Sequence, residues 1–193
     1  MDAILLAVDD TYKFGYLNPD DQPYRYQNVW ATEKTTGPDR LVIAPASGQV
    51  DVMLRLMEAM PDPFWVLYVL VVPRGEGEPG RYQSPEPQGR KPVQHLLEEF
   101  KPFFEQDGRQ NLWIASTAAP AMLIYDRHNV LYAYGTLEGF RAVLSEIGLK
   151  EVPSIRFPRP HTHHYNEEFD AGAGRILEYW EWQHTPLRDA DTE

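Results

Sequence analysis

The chain has 193 residues, of which 42% are hydrophobic and 12% aromatic, and this length and composition suit one folded domain. Its 29 acidic and 18 basic side chains give a net charge of −11. A surface of that sign repels phosphate backbones, so we expect no direct nucleic-acid ligand. The longest apolar run covers residues 64–72. A membrane helix needs about 20 residues, so we expect no membrane span.

The absence of cysteine excludes disulfides, cysteine-based zinc sites and thiol nucleophiles. The first residues also lack the basic region of a secretory signal, because Asp2 stands there and Asp9 and Asp10 end the short apolar run. Both features fit a reducing compartment. We therefore expect a cytoplasmic protein.

The first half of the chain indicates strands and one helix. Short strands are expected at 4–8 and 28–32, and a buried strand at 41–44. Ser47 is a candidate N-cap for a helix that runs to residue 60, because apolar side chains follow it at helical spacing.

The middle of the chain contains the longest apolar run and the least regular segment. Residues 64–72 are rich in β-branched and aromatic side chains, which predicts a central strand buried on both faces. Residues 74–92 hold four Gly and four Pro, a composition that predicts a mobile surface loop without strand or helix.

The second half predicts two further helices with three strands between them. A helix over 93–104, interrupted by Pro102, precedes strands at 112–116, 122–125 and 130–134. The next helix begins at Thr136 and ends at Gly148, which suits the left-handed C-terminal position.

The last forty residues have a different character. Residues 152–160 are held extended by prolines, a final helix is expected over 167–180, and the polar tail from Thr185 is expected to fray.

This order predicts an α+β domain with a single mixed, largely antiparallel sheet and amphipathic helices packed on it. The first strand–helix–strand unit is compatible with a parallel crossover. We expect one domain over 1–193, with the Pro/Gly-rich loop at 74–92 and an acidic, more extended C-terminal segment at 152–193.

One histidine cluster resembles a metal site. Side chains two apart in an extended strand share a face, so His161 and His163 are candidates to bind one zinc ion, with His164 and Glu168 completing the set. The sequence matches no HExxH pattern. The alternative is a surface segment whose histidines stack on neighbouring aromatic rings, and on balance we expect no cofactor.

The link between the strands at 122–125 and 130–134 is the polar turn 126–129. Its Asp126 and His128 are candidates for acid–base chemistry, but a solvated turn tip favours a plain hairpin turn. Arg127 and His128 are also candidates for contact with a partner. The sequence contains no serine elbow and no phosphate loop, so catalytic residues are not identified.

The C-terminal segment predicts binding of a basic protein partner. Residues 161–193 carry eight acidic and two basic side chains. Glu178 and Glu181 lie among Tyr179, Trp180 and Trp182, and large aromatic residues are frequent at binding hot spots. These aromatics suit core packing equally well.

Three functions therefore remain open. The first is a non-enzymatic protein-binding domain, of which an acidic neutralising or immunity-type protein is one form. The second is a metal-dependent hydrolase built on the histidine cluster. The third is a small-ligand-binding module with its pocket under the 74–92 loop.

Overall fold

The computed structural model describes residues 11–18, 20, 22–75 and 77–191, and it has the expected α+β fold. The strand expected at 4–8 lies outside the described residues. The described strands, in chain order, are β1 (Phe14–Tyr16), β2 (Val29–Glu33), β3 (Arg40–Ala44), β4 (Phe64–Leu70), β5 (Gly80–Gln83), β6 (Gln110–Ser116), β7 (Met122–Tyr125), β8 (Leu131–Tyr134), β9 (Lys150–Glu151), β10 (His161–His163) and β11 (Gln183–Thr185). The described helices are α1 (Gln49–Glu58), α2 (Arg90–Glu99), α3 (Lys101–Gln106), α4 (Leu137–Glu146) and α5 (Asp170–Glu178), with short 3-10 turns at Glu167–Phe169 and Asp189–Asp191.

Nine strands form one sheet in the order β11-β5-β4-β6-β7-β8-β3-β2-β9, while β1 and β10 form a separate pair. Every pairing is antiparallel except that of β2 with β9, so the sheet is mixed and largely antiparallel as expected. β3 and β4 run in the same direction on either side of α1. They are not neighbours, because β6, β7 and β8 lie between them.

The main core lies on one face of the large sheet. In β4 the alternating side chains Phe64, Val66 and Tyr68 point into it and are buried. The opposite face is less covered, since Trp65 and Leu67 are only half-buried. The prediction that this strand is buried on both faces therefore holds only towards its end.

Helix α1 begins in a different way from the sequence expectation. Its N-cap residue is Gly48 in the left-handed conformation (φ 68°), and glycine has no side chain that could cap the helix. Instead the Val50 amide donates to Glu105 Oε1 at 2.8 Å. A carboxylate from α3 thus satisfies an amide that Ser47 was expected to satisfy. The predicted end of α4 is confirmed, because Gly148 has a φ of 84° and the Leu149 amide donates to the Leu144 carbonyl.

The segment 74–92 is more ordered than its composition indicates. It contains β5, which pairs with β4, and the start of α2, so the expectation of a plain loop is wrong. A side chain at Gly80 would have to displace the ring of His184 on the neighbouring strand β11, because a Cβ there would lie 2.0 Å from His184 Nε2. The glycine that indicated a loop instead permits a close strand pairing.

The C-terminal tail is also ordered through residue 191. β11 pairs with β5, and the buried carboxylate of Asp191 forms an ion pair with Arg81. Asn111 Nδ2 donates to the Asp191 carbonyl at 3.3 Å. The expectation of fraying from Thr185 is wrong because these polar groups find partners on the sheet.

The small sheet docks against the other face of the large sheet. A second apolar cluster joins the two, and its buried members are Phe14, Tyr26, Val42, Ala44 and Val130. This docking brings β10 beside the turn between β7 and β8. No helix in the described ranges is long and apolar enough to cross a membrane.

Candidate metal centre

Three histidine rings converge where β10 meets the β7–β8 turn. His161 and His163 project from one face of β10, and His128 comes from the turn. One ring nitrogen of each histidine lies within 4.8 Å of those of the other two. Within the described part of the chain no other three His, Asp or Glu side chains meet in this way.

The turn is held in shape by its first residue. Asp126 Oδ1 accepts hydrogen bonds from the amides of His128 at 2.9 Å and of Val130 at 3.1 Å. Asn129 adopts a left-handed conformation (φ 60°), which asparagine tolerates better than most residues. The turn therefore presents His128 in a fixed direction.

Each of the three rings is oriented through its Nδ1 atom. His128 Nδ1 lies 3.0 Å from Asp126 Oδ2, His161 Nδ1 lies 3.1 Å from the Pro158 carbonyl, and His163 Nδ1 lies 3.1 Å from the Arg127 carbonyl. A carbonyl or carboxylate oxygen accepts, so each Nδ1 donates to its partner, and in the neutral ring Nε2 is then the nitrogen with the lone pair. Partners of this kind fix the rings of metal-binding histidines in known sites.

The environment keeps His163 in the form that binds a metal. Burial, and then the nearby charge of Arg127, lowers the pKa of His163 to about 2. The ring is therefore neutral at physiological pH, and a neutral imidazole is the ligand form.

The histidine cluster packs against a buried aromatic ring and also borders a cleft. Phe14 is buried beneath it, with its ring centre 5.2 Å from those of His128 and His161 and 5.6 Å from that of His163. On the other side lies a cleft of about 490 Å³, whose lining residues are Asp126, Arg127, His128, Tyr132, Phe157, Arg159, His161 and His163.

This arrangement fits a mononuclear zinc site with three protein ligands. Zinc–nitrogen bonds of ~2.0–2.1 Å at a tetrahedral ion set the ligand nitrogens roughly 3.4 Å apart. The present separations reach at most 4.8 Å, so the rings would close by up to about 1.4 Å around an ion. The three histidines would hold the ion, and the cleft that they line would leave room for a further ligand such as water or substrate, as catalytic zinc sites do.

The sequence analysis named two of these three histidines. It paired His161 and His163 with His164 and Glu168, but the ring of His164 stacks on Tyr12 and Glu168 is exposed on the 3-10 turn. Neither belongs to the converging group.

Sequence reasoning treated His128 as a separate candidate, because 33 residues separate it from His161. The signal that links it to a metal centre is the Asp126-x-His128 spacing. That spacing lets a carboxylate orient an imidazole within one turn.

The residues expected to bind a protein partner lie in two places. Arg127 and His128 line the cleft beside the histidine cluster. The aromatic side chains Tyr179, Trp180 and Trp182 are half-buried against the main core. Glu178 and Glu181 are exposed beside them.

Comparison with protein-family models, with curated proteins and with solved structures finds no match to this chain.

Proposed function

We propose that the protein is a metal-dependent hydrolase with one zinc ion bound by His128, His161 and His163. The observation that carries this proposal is the convergence of three imidazoles whose Nδ1 atoms are hydrogen-bonded to orienting partners, while their Nε2 atoms form no hydrogen bond within the described residues. A surface cluster without this role has no need for three matched orienting partners.

The proposed chemistry follows from the open fourth position. A zinc ion with three protein ligands lowers the pKa of a bound water to ~7 and polarises a substrate oxygen. The chain contributes the three ligands, the Asp126 carboxylate that orients His128, and a cleft that admits a substrate to one side only.

The first test is metal content. The protein, purified without an affinity tag, is expected to retain about one zinc per chain after gel filtration and to lose thermal stability when a chelator removes it. His163→Ala should abolish retention. His164→Ala is the matched control, because its ring lies outside the group, and it should leave the zinc content unchanged.

The second test is turnover. Zinc-loaded protein is expected to hydrolyse a chromogenic ester such as p-nitrophenyl acetate or p-nitrophenyl phosphate, and the activity should disappear in His163→Ala. A protein that neither retains nor takes up zinc, and whose melting temperature ignores the chelator, would refute the proposal.

Binding of a basic protein partner is the second candidate function. It is supported by the two exposed carboxylates, Glu178 and Glu181, which form no ion pair within the described ranges and flank partly exposed aromatic rings. The metal centre does not require such a partner, so the two functions are compatible.

A further inference from the structure

Two arginines line the same cleft as the three histidines. Arg127 follows Asp126 in the turn, and Arg159 comes from the extended segment that leads into β10. Arg159 is exposed, whereas Arg127 is half-buried. Neither guanidinium forms an ion pair with a carboxylate within the described ranges.

The Arg127 side chain retains unused donors. Its Nη2 donates to the Tyr165 hydroxyl at 3.1 Å, but its Nε is buried and has no hydrogen-bond partner. Asp126, the acidic side chain that lines the cleft, forms no ion pair with Arg127 within the described ranges. Both oxygens of Asp126 are already engaged by the amides of the turn and by His128.

The cleft therefore favours negative charge. Its lining contains one carboxylate, two guanidinium groups and three histidines, and a bound zinc ion would add two further positive charges. Guanidinium groups bind carboxylate and phosphate oxygens through paired hydrogen bonds. An anionic group in the cleft would meet these donors directly.

An apolar wall lies beside the charged part. Tyr132 and Phe157 line the cleft, and they also line a neighbouring cleft of about 270 Å³ that contains Val42 and Ile155. A ligand in the first cleft can thus place an apolar group against these two rings without leaving the site.

We propose that the ligand of this site is an organic oxyanion with an apolar substituent. The anionic group binds Arg127 and Arg159 beside the histidines, and the apolar group packs against Tyr132 and Phe157. The substrate class deepens the proposed hydrolase function and rests on it for turnover. Binding of the anion itself does not require turnover.

The test uses two ligands that the enzyme cannot hydrolyse, phenylphosphonate and benzoate, and follows binding to zinc-loaded and to chelator-treated protein by NMR titration. Saturable binding of at least one of them is expected. Arg159→Gln should weaken it at least about tenfold, the usual effect of losing a charge-assisted hydrogen bond. Because Arg159 is exposed, this variant should fold normally.

Arg156→Gln is the matched control. It removes an exposed arginine three residues earlier in the same segment that does not line the cleft, and it should leave binding unchanged. Methylphosphonate tests the apolar wall and should bind more weakly than phenylphosphonate. The phosphonate and benzoate arms distinguish a phosphoryl from a carboxylate ligand.

The outcomes separate this proposal from the proposed function. Arginine-dependent binding in a protein that takes up no zinc would support the anion site and refute the zinc centre. Zinc uptake without binding of either anion would support the zinc centre and refute the anion site. Binding that ignores Arg159→Gln, or that is equal for methyl and phenyl phosphonates, would overturn the assignment of the ligand.

Discussion

The carboxylate of Asp126 combines two tasks within four residues. Oδ1 closes the turn by accepting two amide hydrogen bonds, and Oδ2 holds the ring of His128. The second task concerns only the metal centre. The two tasks can therefore be separated by a substitution that keeps one acceptor oxygen.

Asp126→Asn is such a substitution. The amide oxygen can still close the turn, but the amide nitrogen cannot accept the Nδ1 proton of His128. We expect zinc affinity to fall by roughly 10–100-fold, the usual loss when an orienting partner is removed. Competition with a chelator of known affinity measures this. Asp20→Asn, at an exposed loop position, is the control, and equal affinities in the two variants would contradict the assigned role.

Lys13 is a buried amine close to the site. Its Nζ donates to the Phe104 carbonyl at 3.0 Å and lies 3.6 Å from the centre of the Tyr125 ring. Burial lowers the pKa of Lys13 to about 7, although Asp126, Asp107 and Glu105 act in the opposite direction and Arg127 adds to the lowering.

This shift predicts a pH dependence of stability. The unfolded chain keeps the Lys13 proton up to its normal pKa of 10.5, whereas the folded protein releases it near pH 7. The unfolded state therefore binds more protons between these values, and the contribution of Lys13 to stability rises with pH across that range.

Urea unfolding at several pH values compares the wild type with Lys13→Met, which keeps the length of the side chain but cannot titrate. As pH rises from about 7 to 10, the unfolding free energy of the wild type should rise by a few kcal/mol relative to that of Lys13→Met. The exposed Lys91→Met should show no such trend. A constant difference for Lys13→Met would show that the amine stays protonated.

At the scale of elements, side chains on the two faces of β4 differ in how deeply they are buried. Val66 points into the main core between Ile114 and the helices and is fully buried, while its neighbour Leu67 points to the half-buried face opposite Trp113. Position along the strand is nearly the same for the two. Their substitution therefore isolates the effect of burial.

Val66→Asp should destabilise the protein by several kcal/mol and prevent its recovery in soluble form, because the carboxylate would be buried without a partner. Leu67→Asp should cost clearly less, since water reaches that face. Soluble yield and the melting temperature measure both. Equal losses would show that the second face is as dry as the first.

The elements that the sequence predicted are those in which apolar residues recur with the period of a helix or a strand. The helix at α4 and the strands β6 to β8 follow directly from apolar spacing and turn residues. β5 and β11 were missed because each is short and polar and gains its order from a neighbouring strand. Their pairing depends on contacts about one hundred residues apart, which local composition does not encode.

The candidate site shows the same limit. The spacing of His161 and His163 predicted that both side chains lie on the same face of a strand, because that relation depends only on the local two-residue period. The place of His128 beside these two histidines depends on how the small sheet docks on the large one. That docking involves Phe14 and the apolar cluster around it, to which Val130 contributes from the end of the turn. It therefore depends on contacts between residues that are far apart in the sequence.

At the scale of the whole molecule, the net charge of −11 is unevenly compensated. Among the C-terminal acids, Glu167 pairs with Arg74, Asp170 with Arg109, and Asp191 with Arg81. Glu178 and Glu181 have no such partner within the described ranges. Their charge is available for long-range attraction.

If a basic partner binds this surface, association should slow as salt rises while dissociation changes less, because the attraction is screened beyond ~8–10 Å near physiological ionic strength. Replacing Glu178 and Glu181 by Lys should lower the association rate. A pull-down from the native host followed by binding kinetics at two salt concentrations measures this. Glu58→Lys, on α1, is the control for a general loss of negative charge. An association rate that ignores both salt and the double replacement would remove the electrostatic argument.

The pairing of β11 with β5 has a consequence for the growing chain. β5 is complete about one hundred residues before 183–185 are synthesised, so its outer edge stays unpaired until β11 is made. A chain that stops after residue 182 would keep that edge permanently, and open edges recruit strands from other molecules. We expect such a truncated protein to form oligomers that grow with concentration, detectable by light scattering, whereas with β11 present the outermost strand has only three residues.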